Sequence, residues 1–146
     1  MPDATAAPAN DLAAIAALLR ELDICMLTTR ADDGSLHGRP MSNNGVVEYD
    51  GDSWFFAQEG SRKVLEIDAD PRVELAFIDT PKATWINVEG EATVVRDDPD
   101  RKRALWMDDL ERWFENGPDD PGVVLIKVAA RHIDAWSREG DHSFDV

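Results

Sequence analysis

The sequence predicts a mainly β protein, a small antiparallel β-barrel with a few short flanking helices. Six or seven short segments are apolar or alternate in polarity, and turn residues separate them. Helical spacing of apolar residues occurs in only a few places. Because so few helices are available to cover the apolar strands, closure of the sheet on itself is the natural way to bury them.

The chain length fits one domain. A chain of 146 residues can bury a real core, and no linker divides it. We expect residues 1–10, which are small and include proline, to be a disordered N-terminus, and residues 11–146 to form the single domain. Asn10 or Asp11 can cap a first helix. Its apolar residues recur at helical spacing, at Leu12, Ile15, Ala16, Leu19 and Leu22.

The first half of the chain predicts an antiparallel meander. Gly34 suits a turn with positive φ, and Asp50-Gly51-Asp52 suits a tight hairpin turn. The predicted strands cover residues 24–29, 36–42, 46–49 and 54–56.

The second half combines helices and longer strands. Ser61 can open a helix over residues 61–69, and Asp70-Pro71 closes it. Gly90 predicts a bulge or bend in one strand, and Asp97-Asp98-Pro99 predicts the start of another helix. That helix carries an apolar stripe, predicted to pack on the barrel, at Leu105, Trp106, Leu110, Trp113 and Phe114. The predicted strands cover residues 72–78, 83–95 and 123–128, with a loop at 115–122.

Composition excludes several functions. The net charge of -15, from 30 acidic and 15 basic residues, argues against nucleic acid or an anionic membrane as a partner. The N-terminus has no basic signal region, so the sequence predicts a cytoplasmic protein. Cys25, the one cysteine, is expected to be a buried, inert thiol. The three histidines, His37, His132 and His142, lack the spacing of a metal site.

Ser61-Arg62-Lys63 is the strongest candidate for ligand binding. The three residues follow an apolar strand and open a helix, where free N–H groups and the positive end of the dipole favour an anion. Arg62 and Lys63 would add two cations to those donors, which suits a phosphate ester. Alternatively, the cations form a solvated first turn and pair with acidic neighbours at Glu59, Glu66 or Asp70.

A second candidate is Arg39-Pro40-Met41-Ser42. An arginine within a strand of a small barrel must bury its stem, and an ion pair or anionic ligand usually explains it. Pro40 removes a backbone donor, which favours an edge strand beside an opening. The backbone of such an edge suits a flat heteroaromatic ring.

Six segments in order resemble the pyridoxamine 5'-phosphate oxidase-related family, in its short branch of general stress proteins. The resemblance extends from Ile24 to Trp136, and it depends on the order and spacing of the segments together. They are Gly38-Arg39-Pro40-Met41, Trp54-Phe55-Phe56-Ala57, Gly60-Ser61-Arg62-Lys63, Asp70-Pro71-Arg72-Val73, Val88-Glu89-Gly90 and Ile133-Asp134-Ala135-Trp136.

The resemblance implies an FMN-binding split β-barrel, antiparallel and Greek-key-like, that forms a homodimer with two flavins in clefts shared between subunits. Arg62 and Lys63, helped by Arg39, match residues that hold the FMN phosphate. Pro40, Met41 and Ser42 match the strand that lines the isoalloxazine ring. The remaining matches are Phe56, Ala57 and Gln58 beside the ribityl chain, Ser61 at the helix start, and Trp85 and Trp136 near the ring from the partner subunit.

Departures from the oxidase pattern limit the expected chemistry. A lysine of the oxidases is replaced at Asn43-Asn44, and an Arg-x-His-x-Arg signature is absent after Trp136. We therefore do not expect oxidation of pyridoxamine 5'-phosphate. The first hypothesis is a flavoprotein that passes electrons between a reduced nicotinamide and an unknown small-molecule acceptor. The alternatives are a non-enzymatic flavin-binding or redox-sensing stress protein, and a deazaflavin-dependent reductase of the same fold.

Overall fold

The protein is an open antiparallel sheet with three α-helices. The computed structural model describes residues 8–146, with side chains from residue 11 onward, so the expected disorder of the first residues falls largely outside it. The strands are β1 (Ile24–Arg30), β2 (Leu36–Ser42), β3 (Asp52–Gln58), β4 (Arg72–Asp79), β5 (Thr84–Val95), β6 (Val123–Trp136) and β7 (His142–Asp145). The helices are α1 (Pro8–Leu19), α2 (Arg62–Ala69) and α3 (Pro99–Leu105), followed by a 3₁₀ segment, Asp108–Arg112.

The strand order is β2-β1-β4-β5-β6-β3, and β7 pairs with β6. All strand pairs are antiparallel. The sheet curves without closing, so β2 forms one edge, and β3, with β7 farther along β6, forms the other. The mainly β fold predicted from the sequence is confirmed, with the barrel split between these edges.

The meander predicted for the first half is wrong at one element. Residues 46–49 form no strand; Val46 and Val47 are exposed in an irregular loop. Because β3 pairs with β6 rather than with a preceding strand, Asp50-Gly51-Asp52 is no hairpin turn. The loop instead carries the chain from one sheet edge to the other.

The second half differs at two places. The helix predicted after Asp97 ends at Leu105, and the rest of its apolar stripe lies in the 3₁₀ segment and the turn after it. The final strand continues past residue 128 to Trp136, and β7 follows it. Small and polar residues interrupt the apolar run after Val128, but the inward residues Ala130, Ile133 and Ala135 stay buried.

Other predicted features are confirmed. Gly34 adopts φ 84° in the β1–β2 turn. The register of β5 and β6 shifts between Glu89 and Gly90. A Cβ at Gly90 would lie 2.7 Å from the carbonyl oxygen of Ala129, so only glycine fits this bulge. Cys25 is buried, and burial with the nearby Asp23 raises its thiol pKa to about 12.

Two buried clusters stabilise the fold. The larger fills the inside of the sheet, where α1 and α2 also pack. Its largest fully buried side chains include Ile15, Leu27, Phe55, Leu75 and Phe77. The smaller cluster lies on the other side of β3 and contains Phe56, Leu105, Phe114, Val123 and Leu125. β3 is therefore covered on both faces, which explains its nearly unbroken apolar sequence.

Candidate functional site

A cleft of about 980 Å³ lies between the two edges of the sheet. One wall comes from the end of α1, the end of β2 and the following loop. The other comes from β3, Lys63 of α2 and the 3₁₀ segment. The cleft thus lies at the split in the barrel, and its volume falls within the size range of small-molecule sites.

The loop after β2 is held against α3. Asn44 is buried; its Nδ2 donates to the carbonyl oxygen of Leu105 at 2.8 Å, and its Oδ1 accepts from the Val46 N–H at 2.9 Å. Farther along, Tyr49 lines the cleft. Its buried hydroxyl has no hydrogen-bond partner among the described residues. Burial raises the pKa of this hydroxyl, and the negative charges of Asp52 and Asp50 raise it further. The loop thus places a protonated phenol in the cleft wall.

Aromatic side chains form the opposite wall. The rings of Phe56 and Trp106 meet edge to face at 5.3 Å, and Phe114 packs against both at 6.3 and 6.4 Å. The sequence predicted that Trp113 also packs as core, and this is wrong. Trp113 is 73% exposed and, with Leu110, lines the cleft. The helical spacing fails there because α3 ends at Leu105.

The start of α2 borders the cleft. Ser61 is the N-cap residue, but its side chain makes no capping hydrogen bond. Its Oγ is buried and has no partner among residues 8–146. The first turn of α2 contains no acidic residue. A buried hydroxyl and free N–H groups therefore lie together at the positive end of a helix.

Lys63 carries the cationic charge at this end of the cleft. It is half-buried and lines the cavity, and no carboxylate in the described chain is within ion-pair distance. Burial, with the added repulsion of Arg39, lowers its pKa from the usual value. An ammonium group that loses solvent and gains no counter-ion is stabilised by any anion that enters the cleft.

Arg39 and Arg62 differ from Lys63 in their surroundings, because both arginines contact the buried carboxylate of Glu66. Arg39 Nη2 is 3.3 Å from Glu66 Oε1, and Arg62 Nε is 3.7 Å from Oε2. Arg39 Nη1 also donates to Thr29 Oγ1 at 2.7 Å and to the carbonyl oxygen of Leu27 at 3.2 Å. The pairing with Glu66 that the sequence offered as an alternative is therefore present for Arg62.

The structure brings together five of the predicted site residues. They line one cleft: Pro40, Met41, Ser42, Phe56 and Lys63. Ser61 lies two residues before Lys63. Four others do not line this cavity: Arg39 and Arg62 contact Glu66, Ala57 is buried in the main core, and Gln58 is exposed at the end of β3.

Trp85 and Trp136 lie on the outer surface of the sheet, away from the cleft lining. They are directly opposite each other in the β5–β6 pair, and both are exposed. Within one chain they do not reach the cavity wall. The contact with a partner subunit's ring that the resemblance implies for these two positions stays a prediction.

Sequence reasoning missed the contributions of Tyr49, Leu110 and Trp113 to the cleft. The β-branched and aromatic residues between Val46 and Tyr49 suggested a strand, and the helical spacing of Leu110 and Trp113 suggested core. The turn signal Asn43-Asn44-Gly45 was the one available sign that a loop, and not a strand, follows β2.

The comparisons place the chain in a family. The profile of the family described as "Pyridoxamine 5'-phosphate oxidase like" matches residues 10–145. The chain belongs to this family. Protein bli-3 of Neurospora crassa is 28% identical over 118 residues, which cover 73% of this chain and 56% of bli-3. The chain therefore spans little more than half the length of that relative.

Solved structures share the fold. General stress protein 26 of Bacillus anthracis matches with a TM-score of 0.77 at 23% identity, covering 90% of this chain and 95% of that one. A pyridoxamine 5'-phosphate oxidase-related, FMN-binding protein of Nostoc punctiforme matches with a TM-score of 0.65 at 17% identity, covering 97% and 90%. Within residues 8–146, no helix has the length and apolar character needed to cross a membrane.

Proposed function

We propose that this protein binds FMN in the cleft between β2 and β3 and works as a flavoprotein. The observation that carries the proposal is Lys63, a half-buried cation that lines the cleft without a carboxylate partner in the described chain. The family supports the choice of ligand, since the Nostoc protein of the same fold is described as FMN-binding.

The residues present fit a phosphorylated, planar ligand. Lys63 would bind the phosphate, assisted by the buried Ser61 Oγ, which has no partner among the described residues, and by the N–H groups of the first turn of α2. Pro40, Met41 and Ser42 lie on an edge strand, whose outer backbone groups are available to a ring. The mixed apolar and polar lining is typical of cofactor sites.

The proposed activity is electron transfer between a reduced nicotinamide and a small-molecule acceptor. FMN, when bound, supplies the redox chemistry. The protein residues orient and shield it: Phe56 and its aromatic neighbours exclude water from one wall. The Tyr49 hydroxyl, which has no partner among the described residues, is a hydrogen-bond donor in the other.

We also propose a homodimer with shared flavin clefts. An apolar band crosses the outer surface of the sheet, formed by Ile24, Met26, Ile78, Trp85 and Trp136. Ile78 pairs with Trp85, and Trp85 pairs with Trp136, so these three side chains share one row. A contiguous exposed apolar surface on such an acidic chain favours a second copy as its partner.

A second candidate is a flavin-binding or redox-sensing protein without turnover. Among the described residues that line the cleft there is no histidine and no cysteine. The lining therefore offers no side chain that commonly exchanges protons near neutral pH.

The absorbance spectrum of the purified protein, with sedimentation, tests the proposal. We expect bands of oxidised flavin and a dimer with two flavins. A deazaflavin spectrum, or no binding of added FMN at micromolar concentration, would overturn the cofactor assignment. Oxidation of reduced nicotinamide by acceptors then separates the flavin enzyme from the binding protein. Pyridoxamine 5'-phosphate should give no useful turnover.

A further inference from the structure

Glu66 is a buried carboxylate on which four side chains converge. It is 9% exposed, and its Oε1 accepts from Thr29 Oγ1 at 2.9 Å and from Arg39 Nη2 at 3.3 Å. His37 Nδ1 lies 2.8 Å from Oε2, and Arg62 Nε lies 3.7 Å from it. A carboxylate with so little access to solvent requires partners of this kind.

His37 extends the network to Arg62. Arg62 Nη2 lies 2.9 Å from His37 Nε2. A guanidinium can only donate, so Nε2 accepts, and the ring proton is on Nδ1, which donates to Glu66. Arg62 thus contacts Glu66 both directly and through His37. Arg39 and Arg62, which match phosphate-binding residues of the family, thus both contact one internal carboxylate, that of Glu66.

The geometry limits how Arg39 can act on a ligand. Its Nη1 donates to Thr29 and Leu27 and its Nη2 to Glu66, so its charge is directed at β1 and at α2. Lys63, one turn before Glu66 in α2, has no such partner in the described chain. Arg39 is close enough to Lys63 to repel its ammonium group, and Arg62 is the preceding residue of α2. A phosphate bound at Lys63 would therefore compete with Glu66 for these two arginines.

We propose that Glu66 is a specificity-determining residue, an internal counter-ion that competes with the cofactor phosphate for Arg39 and Arg62. This inference rests on the proposed FMN site and deepens it. Competition by Glu66 makes the affinity for FMN lower than it would be if Arg39, Arg62 and Lys63 all bound the phosphate freely. The affinity for riboflavin, which has no phosphate, is unaffected. Binding of FMN is thereby kept reversible.

A purely structural role for Glu66 predicts the opposite result. If Glu66 only anchors Arg39 in a binding conformation, removal of its charge loosens Arg39 and weakens FMN binding. If Glu66 competes, removal of its charge strengthens FMN binding. The sign of the change therefore separates the two roles.

The test uses Glu66→Gln, which keeps the shape and an acceptor oxygen for Thr29 and removes the charge. Titration of the apo protein, followed by flavin fluorescence at fixed ionic strength, compares FMN with riboflavin. We expect the variant to bind FMN about tenfold more tightly and riboflavin unchanged. Unchanged or weaker FMN binding by a folded Glu66→Gln protein overturns the proposal.

Glu59→Gln is the matched control. Glu59 also lies near the start of α2, but it pairs with Arg96, so its loss removes the same charge without freeing Arg39 or Arg62. We expect less than about a twofold change in FMN affinity. An equal gain in both variants would mean that overall charge, and not the Glu66 contacts, sets the affinity, and would also overturn the proposal.

A measurement on the parent protein covers the case in which the variant fails to fold. Carbon-13 NMR of the Glu66 carboxyl group should show its pKa rise when FMN binds, because the phosphate takes over part of the arginine charge; an unchanged pKa overturns the inference. If the parent binds no flavin, the proposed function fails, and inorganic phosphate replaces FMN as the probe of the network. An unchanged pKa of the Glu66 carboxyl group with phosphate then overturns the inference, and a raised one supports it. The titratable and charged groups that border the network are Arg30, Asp33, His37, Arg39, Arg62, Lys63 and Asp70.

Discussion

Two regions meet at the start of α2, and they differ in whether their cationic side chains have a carboxylate partner. In the network around Glu66, Arg39 and Arg62 have a carboxylate within ion-pair distance. In the cleft, Lys63 has lost solvent without gaining a carboxylate in the described chain. The arginines of the first region have a counter-ion without any ligand, whereas Lys63 in the second would gain its counter-ion from an anionic ligand. Two adjacent basic residues therefore have different roles: Arg62 contacts Glu66, and Lys63 lines the cleft.

The helix geometry explains the difference. Successive residues of an α-helix are rotated by about 100°, so Arg62 and Lys63 point to different surroundings. Residues 62 and 66 are four apart and share a face. Lys63 is turned toward the cleft. Neighbours in sequence therefore belong to different regions, and substitutions at each should have distinct effects.

The largest effect should come from breaking the Glu66 network. Arg39→Met removes a cation from a buried carboxylate but leaves Thr29, His37 and Arg62 in contact with it. We expect the free energy of unfolding to fall by about 3 kcal/mol, at the low end for broken buried pairs. Urea denaturation measures it. A loss below about 0.5 kcal/mol, the size of an exposed ion pair, would mean that the network adds little to stability.

The fold could be predicted where local signals and tertiary contacts agree. The turn at Gly34, the bulge at Gly90 and the bounds of α2 follow from glycine conformation and from Asp70-Pro71. The pairing of β3 with β6 could not be predicted, because it depends on partners some 70 residues apart. The segment from Val46 to Tyr49 has residue types typical of a strand but pairs with no neighbouring strand.

The site was predictable in its chemistry and less so in its geometry. The residue types at 61–63 and 39–42 indicate an anionic, planar ligand, and five of the predicted residues line one cleft. Whether Arg62 or Lys63 is available to a ligand depends on where Glu66 and Arg39 lie in three dimensions. Spacing could name Glu66 as one of three possible partners, but it could not choose among them.

The next largest effect should be the difference between Lys63 and Arg62 in ligand binding. Lys63→Ala should remove a charge-assisted contact to the FMN phosphate worth about 1.5–3 kcal/mol, a tenfold to hundredfold loss in affinity. Arg62→Ala should cost less, about threefold, because Glu66 and His37 already hold Arg62. Fluorescence titration with FMN measures both, and riboflavin, which has no phosphate, should be indifferent to either. FMN affinities like that of the parent in both variants would reduce the start of α2 to a solvated turn.

The smallest effect has the opposite sign to the first. Lys63→Met replaces a desolvated cation in the first turn of α2, where the helix dipole also disfavours positive charge. Because the ammonium group keeps some solvent contact, we expect the apo protein to gain only about 0.5 kcal/mol at pH 7. The gain should depend on pH. The folded-state pKa of Lys63 is lowered, so the unfolded chain binds more protons between that pKa and the usual value of lysine, and stability of the parent rises with pH across this window. Thermal melts of both proteins should therefore converge as pH rises toward about 10. A Lys63→Met protein that is less stable than the parent at pH 7 would show that Lys63 has an internal partner and that the two regions do not differ as described.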